Sequence, residues 1–251
     1  MIVKKILAAV FSAALAAGTV SGIMNTAVHR VCRACKGAAA GGKGVVMEQA
    51  KKDFNKEAAQ WDENPGRVRL ANDIAEAMIR ETAPSPDMDV LDFGCGTGLV
   101  TLRLQPFVRS ILGADSSEGM LRVLQGKIAE KGIVNVNTQI VDFEKGDRVA
   151  GAFHLIVSSM TLHHVPDPAA LFRQWRDLLL PAGRICFADL DTEDGSFHSD
   201  NTGVFHEGFD RVHLKRLLQD AGFSSIRDTT AAAVKREGGR EYPVFLILAR
   251  K

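Results

Sequence analysis

Residues 89–98 read Asp-Val-Leu-Asp-Phe-Gly-Cys-Gly-Thr-Gly: a short apolar run, then three glycines spaced two apart, with Asp92 two residues ahead of the first. The run has the length and character of a buried strand, and glycines directly behind it let the main chain turn tightly into a helix. At such a turn a ligand approaches the backbone closely and meets amide groups at a helix N-terminus. The spacing of Gly94, Gly96 and Gly98 is GxGxG, whereas GxGxxG is usual for a dinucleotide pyrophosphate. Asp92 would repel a bare phosphate, so the loop better suits a ligand with a cationic end.

Short apolar runs and amphipathic segments alternate after residue 86, the pattern of βαβ units and a mostly parallel sheet. Strands are expected at Val90–Phe93, Ser110–Ala114, Asn137–Val141, His154–Ser158 and Arg184–Ala188, with helices at Leu99–Phe107, Glu118–Lys131, Pro168–Leu180 and Arg211–Ala221. Ser225–Val234 and Tyr242–Ala249 read as two more strands joined by the polar turn 235–240 with no helix between them, which makes them antiparallel neighbours. Ahead of the glycine loop, Lys51–Ala83 is helical in pattern, broken at Pro65-Gly66, and Pro84-Ser85-Pro86 is a linker.

With 46% hydrophobic and 24% charged residues in 251, the chain is an ordinary globular one. Thirty-one basic against 30 acidic residues leave a net charge of +1, no overall surplus to bind nucleic acid. Four cysteines do not make a disulfide framework: Cys95 and Cys186 fall in strand or loop cores, and Cys32 and Cys35 form a lone CxxC. Residues 1–46 read as a signal-like or anchor-like segment and a glycine-rich linker. Lys4 and Lys5 precede an uncharged, alanine-rich stretch from Ile6 to Val28, and denser basic residues follow it, so an anchor would leave the domain in the cytoplasm. Gly41-Gly42-Lys43-Gly44 before Met47 also resembles a translated ribosome-binding site, which would make Met47 the start. The folded domain is expected over 47–251.

S-adenosylmethionine carries an ammonium, a carboxylate, a sulfonium and an adenosine. Asp92 can meet the ammonium, directly or through water, and the loop amides its carboxylate. Asp115 ends the second strand, 17 residues past Gly98, where a carboxylate accepts both ribose hydroxyls; NAD enzymes use the same device, so it argues for a ribose and not for one cofactor. Asp142 ends the third strand, placed for the adenine amino group with Phe143 stacked on the ring; a helix N-cap explains Asp142 equally well. Leu155–Met160 ends the fourth strand beside the same crevice.

With these segments in order, VLDFGCGTG, then GADSSEGML, then SSMTLHHVPDP, the chain resembles the class I S-adenosylmethionine-dependent methyltransferases. It is nearest in look to small bacterial ones related to the menaquinone and ubiquinone C-methyltransferases. The resemblance runs from about Lys51 to Lys251. It implies an α/β, Rossmann-like fold: a seven-stranded, mostly parallel sheet with an antiparallel C-terminal hairpin, helices on both faces, and a helical lid over 47–86 that includes Trp61. It also implies a methionine-end loop of Asp92, Gly94, Cys95, Gly96 and Gly98, and a ribose acid, Asp115, with Ser116 and Met120 flanking the adenosine. Asp142 and Phe143 would meet adenine, and Ser158 or Ser159 would lie near the methionine moiety. No Asn-Pro-Pro-Tyr tetrapeptide follows strand four, which argues against the exocyclic-amine DNA methyltransferases and their protein-glutamine relatives.

The expected reaction is in-line displacement onto a small-molecule acceptor. A general base is needed only where that acceptor is protonated at neutral pH, and His163 and His164, after strand four, are the nearest candidates. Their ordinary reading is packing under the loop and a bond to a backbone carbonyl. The stretch 189–210, rich in acids and carrying His198 and His206, should lie over the acceptor pocket. It would recognise a cationic acceptor, bind a metal, or simply be a solvated loop with Asp210 capping the next helix; no metal site is expected. The rival readings are a regulator that binds S-adenosylmethionine without turnover and an NAD-linked oxidoreductase. Because the methyl donor is made in the cytosol, a cytoplasmic domain is expected, tethered to the inner leaflet if residues 6–28 form an anchor.

Overall fold

Seven strands carry the fold. In the computed structural model, which describes residues 52–236 and 238–251, they are β1 (Asp89–Phe93), β2 (Ser110–Asp115), β3 (Val136–Ile140), β4 (Phe153–Ser159), β5 (Leu179–Leu190), β6 (Ser224–Lys235) and β7 (Glu241–Arg250). The central ones, β1, β4, β5 and β7, bury side chains on both faces. The readings of residues 1–46 and of Met47 as a start lie outside the described residues. The strands form one sheet in the order β3-β2-β1-β4-β5-β7-β6. β1 through β5 pair in parallel, and β7 runs antiparallel between β5 and β6. The expected seven-stranded, mostly parallel sheet with its antiparallel C-terminal pair is therefore what the chain forms.

Alternation along the strands divides the core in two. Leu91, Phe93, Ile156, Phe187, Phe245 and Ile247 face one layer with Phe172, Trp175, Leu214 and Leu218. Val90, Leu155, Val157, Cys186, Leu246 and Leu248 face the other with Ile74, Met78 and Leu104. A strand whose neighbouring side chains go to opposite cores must be apolar throughout, which is why these runs lack the polar alternation of a half-exposed sheet. Helices α2 (Pro65–Thr82) and α3 (Thr101–Leu104) supply the second layer, and α5 (Pro168–Leu178) and α6 (Arg211–Asp220) the first. α4 (Glu118–Glu130) packs Leu121 and Leu124 against Cys95. Side-chain caps start them: Asn64 for α2, Ser117 for α4, Asp167 for α5 and, as expected, Asp210 for α6.

One boundary between helices falls where the sequence reading put it, and two others differ by three residues or more. The break expected at Pro65-Gly66 is where α2 begins: Pro65 sits at the first helical position, where no amide is needed, and Asn64 Oδ1 accepts from the Gly66 and Arg67 amides at 2.9 and 3.1 Å. Asn64→Ala should accordingly cost about 1 kcal/mol in a denaturant titration, with glycine at the same position costing only a few tenths. The helix expected over Leu99–Phe107 is α3 followed by a 3₁₀ turn, because Pro106 cannot donate to the ladder. β5 begins at Leu179, five residues early, since Pro181 disfavours helical backbone at Leu180.

The region expected as a lid also divides. α2 buries Ile74, Ala75, Ala77 and Met78 in the sheet's second layer. Only α1 (Phe54–Glu57) and the 3₁₀ segment Ala58–Glu63 lie over the ends of the strands, as their contacts below show. Among the described residues no helix is long and apolar enough to cross a membrane.

Candidate active site

Register sets Phe93 opposite Ala114 and Asp92 opposite Val157, so the glycine loop, Asp115 and Ser158 all emerge at one edge of the sheet. The strand order reverses there, between β1 and β4, which is where an open α/β sheet forms its ligand crevice.

The three glycines of the loop are required for different reasons. All have left-handed backbone, φ 70°, 54° and 82° for Gly94, Gly96 and Gly98. A Cβ on Gly94 would lie 2.3 Å from the Thr161 side chain, and one on Gly98 2.3 Å from Leu124 Cδ1. At Gly96 a Cβ would meet nothing within 4 Å. Gly94 and Gly98 thus serve packing, and Gly96 is the one that opens onto free space.

Four of the loop amides expected to receive a ligand carboxylate have partners within the protein. Gly94 and Cys95 donate to the Ala114 carbonyl at 2.8 and 3.1 Å, Gly98 to that of Cys95 at 2.9 Å, and Gly96 to Asp115 Oδ2 at 2.8 Å. The Cys95 thiol is buried against Leu121 and Leu124, and burial pushes its pKa well above the ordinary range. It is packing, turned from the crevice.

Asp92 is only 1% exposed. Alternation along β1 turns it to the Val90 side, under α3, where it accepts from the Thr101 hydroxyl at 2.6 Å. It does not point openly into the crevice, contrary to the picture of a carboxylate greeting an ammonium directly. Burial raises its pKa to about 7, with the Thr101 hydroxyl opposing and the charge of Asp115 assisting. Asp115 is the acid that frames the open side: Oδ2 accepts from Gly96, and Oδ1 from the Ser117 amide at 2.8 Å. Burial raises its pKa too, against those backbone donors.

Farther along the edge, Ser116 is exposed and Met120 is buried in the first turn of α4, its amide donating to Ser117 Oγ. Asp142 and Phe143 are half-buried. Asp142 leads directly into a short 3₁₀ turn and pairs with Lys145 at 3.0 Å, and Phe143 meets Phe93 edge-on at 6.3 Å. Ser158 is buried, and the Ser159 carbonyl accepts from the Thr161 hydroxyl at 3.1 Å.

The segment 54–63 fastens itself across this edge through residues the sequence did not single out. Asn55 Oδ1 accepts from the Gly119 amide at 2.7 Å, and a Cβ on Gly119 would collide with Asn55 Cα. Asp62 accepts from the Thr97 hydroxyl at 2.6 Å and pairs with Lys127. Phe54 packs edge-on against both Trp61 and His164, with centroids at 5.9 and 5.2 Å.

The two candidate bases have unlike surroundings. His164 Nδ1–H donates to the Gly203 carbonyl at 2.7 Å, and burial, reinforced by His163, lowers its pKa to about 3. His163 is 1% exposed, with Nδ1 at 2.7 Å from Asp189 Oδ1. Burial alone would raise the pKa of Asp189; the His163 ring and the Leu190 and His163 amides hold it below the usual range, so it stays ionised. Asp189 carries no sequence signal beyond being one acid among several in its stretch.

Most of the acids in the rest of that stretch are committed to its own structure, and Asp210 caps the next helix. Asp191 pairs with Arg211 at 2.6 Å and Asp194 with Arg240 at 2.6 Å. Glu193 accepts from the Ser196 and Phe197 amides, Asp200 from that of Thr202, and Asp210 from that of His213. His206 Nε2–H donates to the Val165 carbonyl at 3.0 Å. Among the described residues no group of three metal-binding side chains could hold an ion.

Comparison with known proteins bears on the whole arrangement. A family model described as a methyltransferase domain matches residues 66–227, more than half of the chain. An uncharacterized methyltransferase of Schizosaccharomyces pombe is 29% identical over 174 residues, covering 63% of this chain and 61% of that protein. A ubiquinone biosynthesis O-methyltransferase of Coxiella burnetii is 29% identical over 141 residues, 55% of this chain and 60% of its own. The chain therefore spans less than two thirds of the length of either relative. A SAM-dependent methyltransferase from Aquifex aeolicus shares the fold, with TM-score 0.59 at 18% identity, covering 78% of this chain and 97% of its own. With the family model over more than half of the chain and the glycine loop and sheet order in place, the chain belongs to the methyltransferase-domain family, among the class I S-adenosylmethionine-dependent methyltransferases.

Proposed function

We propose that the space over Gly96 holds S-adenosylmethionine and that the protein transfers its methyl group, by in-line displacement, to a small-molecule acceptor. The observation that carries this reading is the difference among the three glycines: of the three, only Gly96 opens to free space, and Asp115 borders it. Asp115 has lone pairs left for the two ribose hydroxyls after accepting one amide on each oxygen. Ser116 and Met120 flank the adenosine, Asp142 takes the adenine amino group and Phe143 the ring. Ser158 and Ser159 lie beside the methionine end, and Gly94, Cys95 and Gly98 shape the loop. Asp92 acts on the ammonium through its buried charge, not by a direct bond.

The sulfonium is already activated, so alignment with the nucleophile and exclusion of water do most of the work, an effect worth roughly 7–11 kcal/mol. Residues 54–63 provide the exclusion by closing over the edge. Of the two histidines, His163 is the general base: Asp189 stabilises the imidazolium it becomes, whereas a ring with a pKa of about 3 is too weak a base at neutral pH. His164 positions the 191–209 strap through Gly203. The cytoplasm, where the donor is made, is where this reading places the reaction.

Incubation with methyl-labelled S-adenosylmethionine and a panel of phenols, amines, thiols and carbon acids should give S-adenosylhomocysteine. With a protonated acceptor, His163→Ala should lower kcat about 10²–10⁴-fold and leave donor affinity within about twofold, and His164→Ala should lower kcat by less than about tenfold. Tight donor binding with no turnover on any acceptor would favour the regulator, and nicotinamide binding without donor binding the oxidoreductase.

A further inference from the structure

We propose that His163 and His198 together form a two-imidazole site for the acceptor, and that this acceptor carries an acidic hydroxyl, a phenol or an enol. The proposal rests on the methyl-transfer reading. It starts from two atoms: the Nε2 atoms of His163 and His198 are both buried, and neither has a hydrogen-bond partner among the described residues. An orphaned buried nitrogen is destabilising, and such groups are rare unless something else supplies the partner. Here the two rings lie against each other, centroids 4.9 Å apart and tilted by 39°, with His164 beside them at 4.2 and 6.0 Å.

The chemistry of the missing partner follows from the charges. Asp189 accepts at Nδ1 of His163, so a neutral His163 carries its proton there and presents a lone pair at Nε2. Such an atom calls for a donor. The His198 ring stays neutral as well: burial, with His163 and Lys52 adding, lowers its pKa to about 4. Lys52 and Arg236 act on this ring against the charge of Asp189; Lys52 is paired with Glu57 at 3.2 Å, and the strap's acids Asp191, Glu193, Asp194 and Asp200 are engaged as well. The lone pair at His163 Nε2 takes the proton of an acidic hydroxyl, and the imidazolium so formed stays beside the Asp189 carboxylate, which an already cationic ammonium cannot exploit in the same way.

The strap is built to hold His198 at this place. Arg236 donates to the Phe197 carbonyl at 3.0 Å and lies over its ring at 4.9 Å, Ser196 Oγ bonds Tyr242 Oη at 2.7 Å, and Arg240 holds Asp194. From the opposite side the Phe205 amide donates to the His163 carbonyl at 2.9 Å. Arg236 is thus a positioning residue on the β6–β7 turn. Both nitrogens are closed off from solvent, so the strap shifts to admit the acceptor.

In the reaction the acceptor O–H bond breaks and its proton passes to His163 Nε2, giving an imidazolium held by the Asp189 carboxylate. The oxygen forms a bond to the methyl carbon as the carbon–sulfur bond breaks, and that electron pair stays on sulfur as a neutral thioether. The imidazolium then returns its proton to water.

The test uses the full chain with ¹⁵N-labelled histidine, saturated with S-adenosylhomocysteine and titrated with catechol, acetylacetone and, for comparison, ethanolamine; His163→Gln and His198→Ala assign the resonances. Catechol or acetylacetone should shift both Nε2 signals and ethanolamine neither. His198→Ala should weaken binding of the hydroxyl ligand about tenfold, and Arg236→Ala should weaken it by less. Asp189→Asn should change the tautomer signature of His163 and weaken binding of the hydroxyl ligand, whereas for a merely structural acid the binding would not move. No shift with either hydroxyl ligand, a shift at one nitrogen alone, or a response to ethanolamine would overturn the site while leaving methyl transfer standing. If S-adenosylhomocysteine itself does not bind, methyl transfer falls and this proposal with it.

Discussion

Gly96→Ala is expected to lower S-adenosylmethionine affinity at least about a hundredfold while destabilising the fold by only about 1–2 kcal/mol, the strain of a left-handed alanine. Gly98→Ala is expected to reverse the balance. Its Cβ would lie 2.3 Å from Leu124 Cδ1 as well as demanding φ 82°, so the fold should lose about 3 kcal/mol or more. The contrast arises because Gly96 faces open space and Gly98 faces packed side chains. Calorimetric titration with the methyl donor, paired with thermal melts of the two variants, separates the effects. Equal losses of affinity per unit of lost stability in both variants would mean that the space over Gly96 is not where the donor binds.

Asp92→Asn should stabilise the protein above neutral pH and weaken donor binding in the same variant. The folded carboxyl keeps its proton up to about 7, against 3.8 for an ordinary aspartate. The stability that goes with the raised value is complete below the lower pKa and lost as pH rises through the upper one, because the folded chain then holds an ionised carboxylate in its interior. Asparagine still accepts the Thr101 hydroxyl and never ionises, so denaturant titrations should show wild type and variant alike near pH 4. By pH 8 the variant should lead by about 2–4 kcal/mol. Donor affinity should fall about tenfold at pH 8, where the wild-type carboxylate is charged and favours an ammonium nearby. Identical stabilities at pH 8 would show that Asp92 is better solvated than its 1% exposure implies.

The glycine loop and the strand list were legible because a doubly covered strand has no room for polar residues and a left-handed turn admits little but glycine. Even the orientation of Asp92 was within reach, since a residue two along from Val90 shares its face. The use of the loop amides was not. Whether Gly94, Cys95 and Gly96 point at a ligand or at Ala114 and Asp115 depends on how closely β2 lies beside β1, which no local pattern encodes. The division of the expected lid escaped for a similar reason: α2 and the segment before it are both amphipathic, and only packing shows that α2 covers the sheet.

The residues by themselves determined the α/β class and the glycine turn that follows β1, because strand burial and glycine backbone freedom act over a few neighbouring residues. Tertiary structure decided what the histidines are. His163 and Asp189 lie 26 residues apart and meet because β4 and β5 pair with Ser159 opposite Ala188; His198 joins them because the hairpin that places β7 between β5 and β6 grips its strap. A proton's home depends on which charges lie within a few ångströms of it, and only the folded chain brings those charges together.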